Sequence, residues 1–365
     1  MFKVSRLLIC CISWRRRLIF LGLIIASSLL LIGKINREPK IYHCYMDAEQ
    51  KPNSNEKQWI LGDILFTKEK PKPGRTIFFV ESKCNCSDSE YSILNLPAHS
   101  ACAIESAALH HPTYDVFVLV ACPTIRQQTD AILDAMLSYK NVKLRYVNLW
   151  RFAKGSPIEY WLTKEDLFRT KYLMVHISDL MRLLALYRYG GIYLDEDLIV
   201  FRALEHDNPN FMGAEIKISI GNSVLGLAPD GFGHMLAELF LNDFQRNYLG
   251  NVWAHNGPRL MERIMSRLCG TSDVTAMQKN SNLCHGVKVF NVSSFYEINW
   301  VERSHFFDEK YANETMKRLE ASFGMHTWNH MKTKWPLSVN ARSAYIQLAK
   351  KHCPKVVTAS GKYFT

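Results

Sequence analysis

The sequence predicts an α/β fold with a mainly parallel central sheet, preceded by an N-terminal transmembrane helix. From residue 76 onward, short apolar runs alternate with helical segments, which is the pattern of crossover units in a parallel sheet. A long apolar helix then passes through two glycines directly into another strand, at residues 176–194. An apolar run at residues 18–33 follows a cluster of arginines. The 365 residues, 48% of them hydrophobic, are enough for one large domain or two modest ones.

The N-terminal apolar run, "LIFLGLIIASSLLLIG", predicts an uncleaved membrane anchor. Its 16 residues are few for a spanning helix, and they suit the thinner membranes of the early secretory pathway. Lys3, Arg6 and three arginines at residues 15–17 precede it, so the positive-inside rule predicts a cytoplasmic N-terminus. A cleaved signal peptide is the alternative, but no convincing cleavage site follows Leu31.

The predicted organisation of the chain therefore has four parts. We expect a cytoplasmic tail at residues 1–17, a signal anchor at residues 18–33, a stem at residues 34–75 and a lumenal domain at residues 76–365. The stem is predicted from its Lys, Asn and Pro content, which ends in "EKPKPGR".

Cysteines and glycosylation sequons agree with a lumenal position for everything after the anchor. Eight of the ten cysteines lie beyond residue 34, as expected in an oxidising compartment, although their connectivity cannot be read from the sequence. The Cys-x-Cys at residues 84–86 has no histidine and cysteine cluster nearby, which argues against zinc. Sequons begin at Asn85, Asn291 and Asn313. The eight cysteines are Cys44, Cys84, Cys86, Cys102, Cys122, Cys269, Cys284 and Cys353.

The net charge of +11 does not predict a nucleic-acid partner. Part of it belongs to the basic N-terminus, and no basic stripe with interleaved aromatic residues follows.

The lumenal domain begins with alternating strands and helices. We predict strands at "TIFFVES", from Thr76 to Glu81, and at "DVFVLVAC" and "VKLRYVNL". Helices are predicted at "ACAIESAALHH" and "TDAILDAMLSY", the second capped by Thr129 or Asp130. Ligands of such a sheet gather at the C-terminal ends of its strands. No GxGxxG follows the first strand, which disfavours an ordinary dinucleotide-binding fold.

The segment "HISDLMRLLALYRYGG", at residues 176–191, predicts the next helix. Leucines at three- and four-residue spacing form one apolar face with Tyr187, and Gly190 and Gly191 end the helix because glycine adopts positive φ easily. Asp179 and Arg182 lie three apart and are neighbours on the helix surface. A local ion pair at the helix start is the alternative to a functional role for the two residues.

Three consecutive acids follow in "GGIYLDEDLIVF", flanked by apolar residues. In a continuous strand, Asp195 and Asp197 point to one side and Glu196 to the other. Buried carboxylates must be paired or must hold a cation, and two converging aspartates favour Mn²⁺ or Mg²⁺ over zinc. The alternative is a strand that ends at Leu194 and turns through a solvated acidic loop.

Several stretches in the same order resemble a known family. They are "SDLMRLLALYRYGGIYLDEDLIV", "IFFVES" at residue 77, "CAIES" at residue 102, "GNSVLGLAP" at residue 221, "WAHNGPRLMERI" at residue 253 and "MHTWN" at residue 325. The chain from about residue 76 to residue 355 resembles the lumenal α1,4-glycosyltransferases of the Golgi. That group contains lactosylceramide α1,4-galactosyltransferase and an α1,4-N-acetylglucosaminyltransferase. The resemblance implies a GT-A nucleotide-sugar transferase fold, a UDP-sugar donor, a divalent metal and retention of anomeric configuration.

The resemblance also implies roles for particular residues. Asp195 and Asp197 fill the family's DxD motif as catalytic metal ligands, and His326 is a candidate third ligand, with a structural histidine as the alternative. Donor-binding residues would be Asp179, Arg182 and Asn222, the last of which is alternatively a turn residue. The acceptor side would include His255, Asn256, Gly257 and Trp328, although Trp328 alternatively braces a closing loop and Gly257 with its proline alternatively starts a helix.

Retention leaves two mechanisms open in the sequence. A double displacement needs a carboxylate nucleophile, and Glu215 is the one nearby acid that we would nominate. Relatives with an amide in that region favour front-face attack, with the leaving phosphate as the base.

The predicted function is transfer of galactose or N-acetylhexosamine from UDP-Gal, UDP-GalNAc or UDP-GlcNAc. A glycosphingolipid is the expected acceptor and a related galactose- or hexosamine-terminated glycan the alternative, in a single-pass type II protein of the Golgi membrane. Two other classes are weighed against it: a DxD phosphohydrolase of the haloacid-dehalogenase type, and a non-catalytic glycan-binding protein on a transferase fold. The phosphohydrolase is disfavoured because the motif follows about three crossover units and Leu198 comes after it.

Overall fold

The computed structural model describes residues 44–47, 59–84, 91–164, 166–204, 208–329 and 336–365, together with Gly22 and Ser27. The predicted anchor at residues 18–33 lies outside the described residues apart from Gly22 and Ser27, which are helical and exposed. Within the described part of the chain, no helix has the length and apolar character needed to cross a membrane. The chain divides into two units, Met1–His43 and Cys44–Thr365.

The second unit is an α/β fold built around one central sheet. Its strands are β1 Thr76–Glu81, β2 Ser92–Ile93, β3 Asp115–Val120, β4 Thr124–Ile125, β5 Val142–Tyr146, β6 Gly191–Leu194, β7 Leu198–Val200, β8 Phe211–Ile216, β9 Ser219–Leu227, β10 Lys288–Phe290, β11 Gly324–His326, β12 Leu337–Ser338 and β13 Tyr363–Phe364. Its α-helices are α1 Ala98–His110, α2 Ala131–Leu137, α3 Leu149–Ala153, α4 Glu159–Leu162, α5 Leu173–Tyr189, α6 Gly231–Arg246, α7 Pro258–Cys269, α8 Val274–Lys279, α9 Ala312–Arg318, α10 Ala344–His352 and α11 Pro354–Ala359. Short 3-10 turns lie at Asp166–Arg169, Ser281–Cys284, Val292–Ser294, Arg303–Phe306, Glu309–Tyr311 and Leu319–Ala321.

The central sheet has the strand order β10-β8-β9-β6-β1-β3-β5. Four of its six strand pairs are parallel, and β9 is antiparallel to both of its neighbours. The predicted mainly parallel sheet is therefore confirmed. The prediction of β1 is correct at both ends, and Asp130 is the residue that caps α2, accepting hydrogen bonds from the amides of Ile132 and Leu133.

Two glycines join α5 to the middle of the sheet, as predicted. Gly190 and Gly191 have φ of 59° and 89°, a region that favours glycine. A Cβ on Gly191 would come within 2.3 Å of the Thr76 carbonyl oxygen, so the strand can approach β1 only because the side chain is absent. This junction places the end of β6 beside β1 and β9, where polar side chains from three elements meet.

The acidic triplet does not form the continuous strand that the apolar flanks predicted. β6 ends at Leu194, and the chain turns through the three acids, with the Leu198 amide donating to the Asp195 carbonyl over 3.1 Å. β7 then leaves the central sheet and pairs with β11. The continuous strand was wrong because the chain changes its pairing partner at this point. The alternative is correct that the strand ends at Leu194 and the chain turns, but wrong that the loop is solvated, since the side chains of Asp195 and Asp197 are only 23% and 14% exposed.

Three disulfides agree with the predicted oxidising compartment. They join Cys84 to Cys122, Cys102 to Cys353 and Cys269 to Cys284. The second links α1 to the C-terminal helices across 251 residues of sequence, which restricts the unfolded chain strongly. Asn291 and Asn313 are exposed, as glycosylation would require, whereas Asn85 and Cys86 lie outside the described residues.

Candidate active site

The acidic turn meets a histidine that is distant in sequence. β11 pairs antiparallel with β7 so that His326 lies opposite Leu198, which places its imidazole beside the turn. The Nε2 atom of His326 is 3.0 Å from Oδ1 of Asp197 and 3.8 Å from Oδ2 of Asp195. Candidate ligand atoms of these three residues all lie within 4.8 Å of one another.

Backbone and side-chain hydrogen bonds fix the two aspartates. The amide of Asn329 donates to Oδ2 of Asp197 over 2.9 Å, and Thr327 donates to the Asp197 carbonyl. The Tyr193 hydroxyl donates to Oδ1 of Asp195 over 2.6 Å, and Arg182 Nη1 donates to the same oxygen over 2.9 Å. These hydrogen bonds therefore hold both carboxylates in place.

Arg182 connects the turn to helix α5. It is 4% exposed, and besides Asp195 it donates to the Asn222 carbonyl over 2.8 Å and lies 3.3 Å from Oδ1 of Asp179. Asp179 is 2% exposed and also accepts a hydrogen bond from Nδ2 of Asn222 over 2.8 Å. The other oxygen of Asp179, Oδ2, has no hydrogen-bond partner among the described residues. The predicted proximity of Asp179 and Arg182 is confirmed, and β9 brings Asn222 to both.

Burial and charge perturb every acid in this cluster. Burial acts to raise the pKa of Asp195, but the Arg182 charge and hydrogen bonds from His326 and Tyr193 hold that pKa below its ordinary value. Burial likewise opposes the ionised form of Asp197, and His326 lowers its pKa. Burial raises the pKa of Asp179 to about 6, since Arg182 only partly offsets it. Burial disfavours protonation of His326, but the two aspartates overcome it and raise the imidazole pKa to about 10.

The residues at the turn fit a divalent cation. Two carboxylates stabilise a proton on His326, and a cation at this position would take the place of that positive charge. Nε2 of His326 faces both carboxylates, whereas Nδ1 is buried without a hydrogen-bond partner among the described residues, so Nε2 is the ring nitrogen placed to bind a cation. Two carboxylate oxygens and one imidazole suit Mn²⁺, which accepts both ligand types.

A cleft of about 340 Å³ opens beside this cluster. Asp179, Asp195, Asn222 and His326 line one part of it. The remaining charged and aromatic lining side chains are Glu215, Trp253, Arg259, Glu262, Trp300 and Trp328. Its volume lies in the usual range for small-ligand sites, about 300–1,000 Å³.

Only some of the residues expected on the acceptor side lie at the cleft. Trp328 lines the cleft, packs its ring 4.4 Å from that of His326 and donates from Nε1 to the Ile298 carbonyl. Gly257 precedes α7, and a Cβ there would lie 2.6 Å from Oδ1 of Asp179. His255 instead hydrogen-bonds the Asn247 carbonyl, and its side chain is not among the described residues that line the cleft.

Asn256 is likewise not among the described residues that line the cleft. It is 1% exposed and bridges both backbone polar groups of Leu249 to His176. Glu196 does not line the cleft among the described residues either. Burial, reinforced by the charges of Glu81 and Asp195, raises the pKa of Glu196 well above the ordinary value.

Sequence reasoning missed Trp253, Trp300 and Glu262 as cleft residues. Trp253 and Glu262 stood inside the quoted "WAHNGPRLMERI" stretch, which was the available signal. Trp300 had none, because an isolated exposed tryptophan has no sequence pattern.

Comparisons with known proteins agree with this geometry. Residues 97–216, which include the acidic turn, match the glycosyltransferase sugar-binding region containing a DXD motif. Residues 229–360, which include His326, match the alpha 1,4-glycosyltransferase conserved region. The chain belongs to the α1,4-glycosyltransferase family. It is a glycosyltransferase, and the family implies a nucleotide-sugar donor and a glycan acceptor.

Curated relatives of this α1,4-glycosyltransferase are identical to it at about a quarter of the aligned positions. The lactosylceramide 4-alpha-galactosyltransferase of Rattus norvegicus is 28% identical over 72% of this chain and 71% of its own length. The alpha-1,4-N-acetylglucosaminyltransferase of Homo sapiens is 25% identical over 70% of this chain and 74% of its own length. A solved complex of galactosyltransferase LgtC with donor and acceptor sugar analogues covers 78% of this chain and 95% of its own, at 15% identity and a TM-score of 0.33. The family assignment favours transfer chemistry over the phosphohydrolase and non-catalytic alternatives.

Proposed function

We propose that this α1,4-glycosyltransferase transfers galactose or N-acetylhexosamine, with retention, from UDP-Gal, UDP-GalNAc or UDP-GlcNAc to a glycosphingolipid headgroup. The acceptor class is suggested by the lactosylceramide 4-alpha-galactosyltransferases to which the chain is similar. A single-pass type II position in the Golgi membrane, with the catalytic domain lumenal, accompanies this proposal. It is supported by the apolar N-terminal run, the disulfides and the exposed sequons.

The observation that carries the proposal is the cluster of Asp195, Asp197 and His326 at the edge of a cleft large enough for a sugar. The three residues would hold Mn²⁺ or Mg²⁺. A bound divalent ion would neutralise the charge that develops on a leaving nucleoside diphosphate without moving a proton. Arg182 keeps Asp195 ionised and so preserves the charge that binds the ion.

Groups from α5 and β9 would position the donor sugar. Asp179 lines the cleft, and its Oδ2 has no partner among the described residues, so this oxygen can accept a hydrogen bond from a sugar hydroxyl. Asn222 holds the other oxygen of Asp179 and fixes the orientation of the carboxyl.

The proposal is tested with the full chain in detergent micelles, Mn²⁺, and UDP-Gal, UDP-GalNAc and UDP-GlcNAc in turn. UDP release is followed with lactosylceramide present, and binding of Mn²⁺ is measured separately by calorimetry. We expect metal-dependent UDP release with one donor. Asp197→Asn should lose both metal binding and transfer, because it removes one of three ligands.

Asp230→Asn is the matched control, since Asp230 is an exposed aspartate at the start of α6 outside the cleft. It should bind Mn²⁺ and transfer sugar as the wild type does. Turnover by Asp197→Asn at the wild-type rate would refute the metal site. Release of UDP from none of the three donors by folded protein would refute the proposed donor class.

A further inference from the structure

Besides residues of the metal cluster, the cleft is lined by two exposed tryptophans. Trp253 is 40% exposed and Trp300 is 47% exposed, and both line the cleft. Among the residues that the structure describes, these are the only tryptophans that are more than a third exposed. Exposing an indole leaves a large apolar surface in water, so its placement at a polar cleft calls for a ligand with an apolar face.

Two carboxylates line the same cleft as these rings. Glu262 projects from α7, and its Oε1 accepts a hydrogen bond from the Ser219 hydroxyl at the start of β9. Glu215, at the end of β8, is largely buried; burial raises its pKa, His326 opposes that shift and Glu262 adds to it. Glu215 lines the same cleft as His326 and Glu262.

These residues line the same cleft as the predicted donor-binding residues but come from other segments. Asp179 and Asn222 come from α5 and β9, whereas Trp253, Arg259 and Glu262 lie between residues 253 and 262. Gly257 joins the two groups, since a Cβ at that position would lie 2.4 Å from Nδ2 of Asn222. A second sugar bound against residues 253–262 would thus lie next to one held by Asp179 and Asn222.

We infer that Trp253, Trp300 and Glu262 form the subsite for the terminal hexose of the acceptor, an inference that rests on the proposed function. A pyranose offers apolar C–H faces that pack on aromatic rings and hydroxyls that donate to carboxylates. Galactose carries its 4-hydroxyl axially, pointing away from its main apolar face. Stacking on a tryptophan therefore leaves free the hydroxyl at which an α1,4 bond forms, whereas the equatorial 4-hydroxyl of glucose lies at the edge of the stacked ring.

Calorimetry with the full chain in detergent tests this subsite without turnover. Methyl β-lactoside, which ends in galactose, and methyl β-cellobioside, which ends in glucose, are titrated in the presence of UDP and Mn²⁺. The wild type should bind the lactoside at least about tenfold more tightly, because a site built around one hydroxyl position rejects the other. Trp253→Ala and Trp300→Ala should each weaken lactoside binding about five- to tenfold.

Glu262→Gln should weaken lactoside binding about tenfold, since it removes a charged hydrogen-bond acceptor. The Kd for UDP should stay within about twofold in all three variants, because the nucleotide is expected at the metal cluster. Tyr160→Ala and Glu238→Gln are matched controls, an exposed aromatic and an exposed acid that do not line the cleft, and should bind the lactoside normally.

Unchanged lactoside binding in the tryptophan variants would overturn the subsite, as would an equal loss of UDP affinity or a wild type that binds neither glycoside. Failure of the proposed function has a separate signature. In that case the wild type would bind the lactoside through the tryptophans but release no UDP from any of the three UDP-sugars.

Discussion

Replacing Arg182 by methionine should destabilise the fold through two aspartates at once. The guanidinium is 4% exposed and lies 2.9 Å from Asp195 and 3.3 Å from Asp179, so it is the cation that compensates both carboxylates. Methionine fills a similar volume but offers no charge. Removing one partner of a buried ion pair costs about 3–5 kcal/mol because the remaining charge stays buried. At roughly 2 °C per kcal/mol for a domain of this size, the Tm should fall by about 8 °C.

The coupling to Asp195 can be isolated by a double-mutant cycle. Unfolding in urea is followed by circular dichroism for the wild type, Arg182→Met, Asp195→Asn and the double variant, all in EDTA so that no bound ion substitutes for the guanidinium. Because asparagine at position 195 removes one of the two carboxylates that Arg182 compensates, the double variant should be more stable than the sum of the single changes predicts, by about 1.5–3 kcal/mol, although Asp179 still lacks its cation.

Arg188→Met is the control on the same helix, because Arg188 donates to the carbonyls of Phe152 and Lys154 and its loss should cost only about 1–2 kcal/mol. Additivity of Arg182→Met and Asp195→Asn to within about 0.5 kcal/mol would refute the electrostatic role of Arg182.

Two further predictions concern the cleft, and one concerns the pH dependence of stability at a buried pair of histidines. Gly257→Ala places a Cβ within 2.6 Å of Oδ1 of Asp179, so we expect a loss of transfer of about 10- to 100-fold with little change in Tm; a normal kcat/KM would show that Asp179 is not positioned through this contact. Glu215→Gln should reduce kcat less than about tenfold if attack is front-face, and a loss above about a thousandfold would instead identify Glu215 as the nucleophile. His352 hydrogen-bonds His110 over 2.8 Å, and burial, with the charges of His110, Lys351 and Arg202, lowers its pKa to about 4. Since the folded pKa lies below the ordinary 6.5, stability should be full above pH 6.5 and fall as the pH drops toward 4. Urea midpoints across this range should fall less in His352→Gln than in the wild type, and parallel curves would contradict the assignment.

Local patterns predicted the framework of the fold well. The strand at Thr76–Glu81 and the helix that ends at Gly190 follow from apolar periodicity and from a glycine with positive φ, both of which act over a few residues. The proximity of Asp179 and Arg182 also follows from helical spacing alone. These predictions succeeded because each depends on neighbours along the chain.

The acidic triplet shows where local reasoning stopped. Apolar flanks on both sides of Asp195 and Asp197 resemble one strand, yet β6 pairs in the central sheet and β7 pairs with β11, so the backbone must turn between them. Which partner a strand chooses depends on segments more than a hundred residues away. The carboxylates still converge, but on His326 and through a turn instead of through strand alternation.

The sequence by itself determined the chemistry available to this protein: a DxD motif, an α1,4-glycosyltransferase family resemblance and the α/β framework that carries them. Only the tertiary structure decided how that chemistry is assembled. It brought His326 to Asp197 through a strand pair, buried Asn256 against the backbone of Leu249 and placed Trp253, Trp300 and Glu262 in the lining of one cleft. The physical reason is that such contacts are set by the packing of distant segments, where the burial of many side chains outweighs the preference of any single residue.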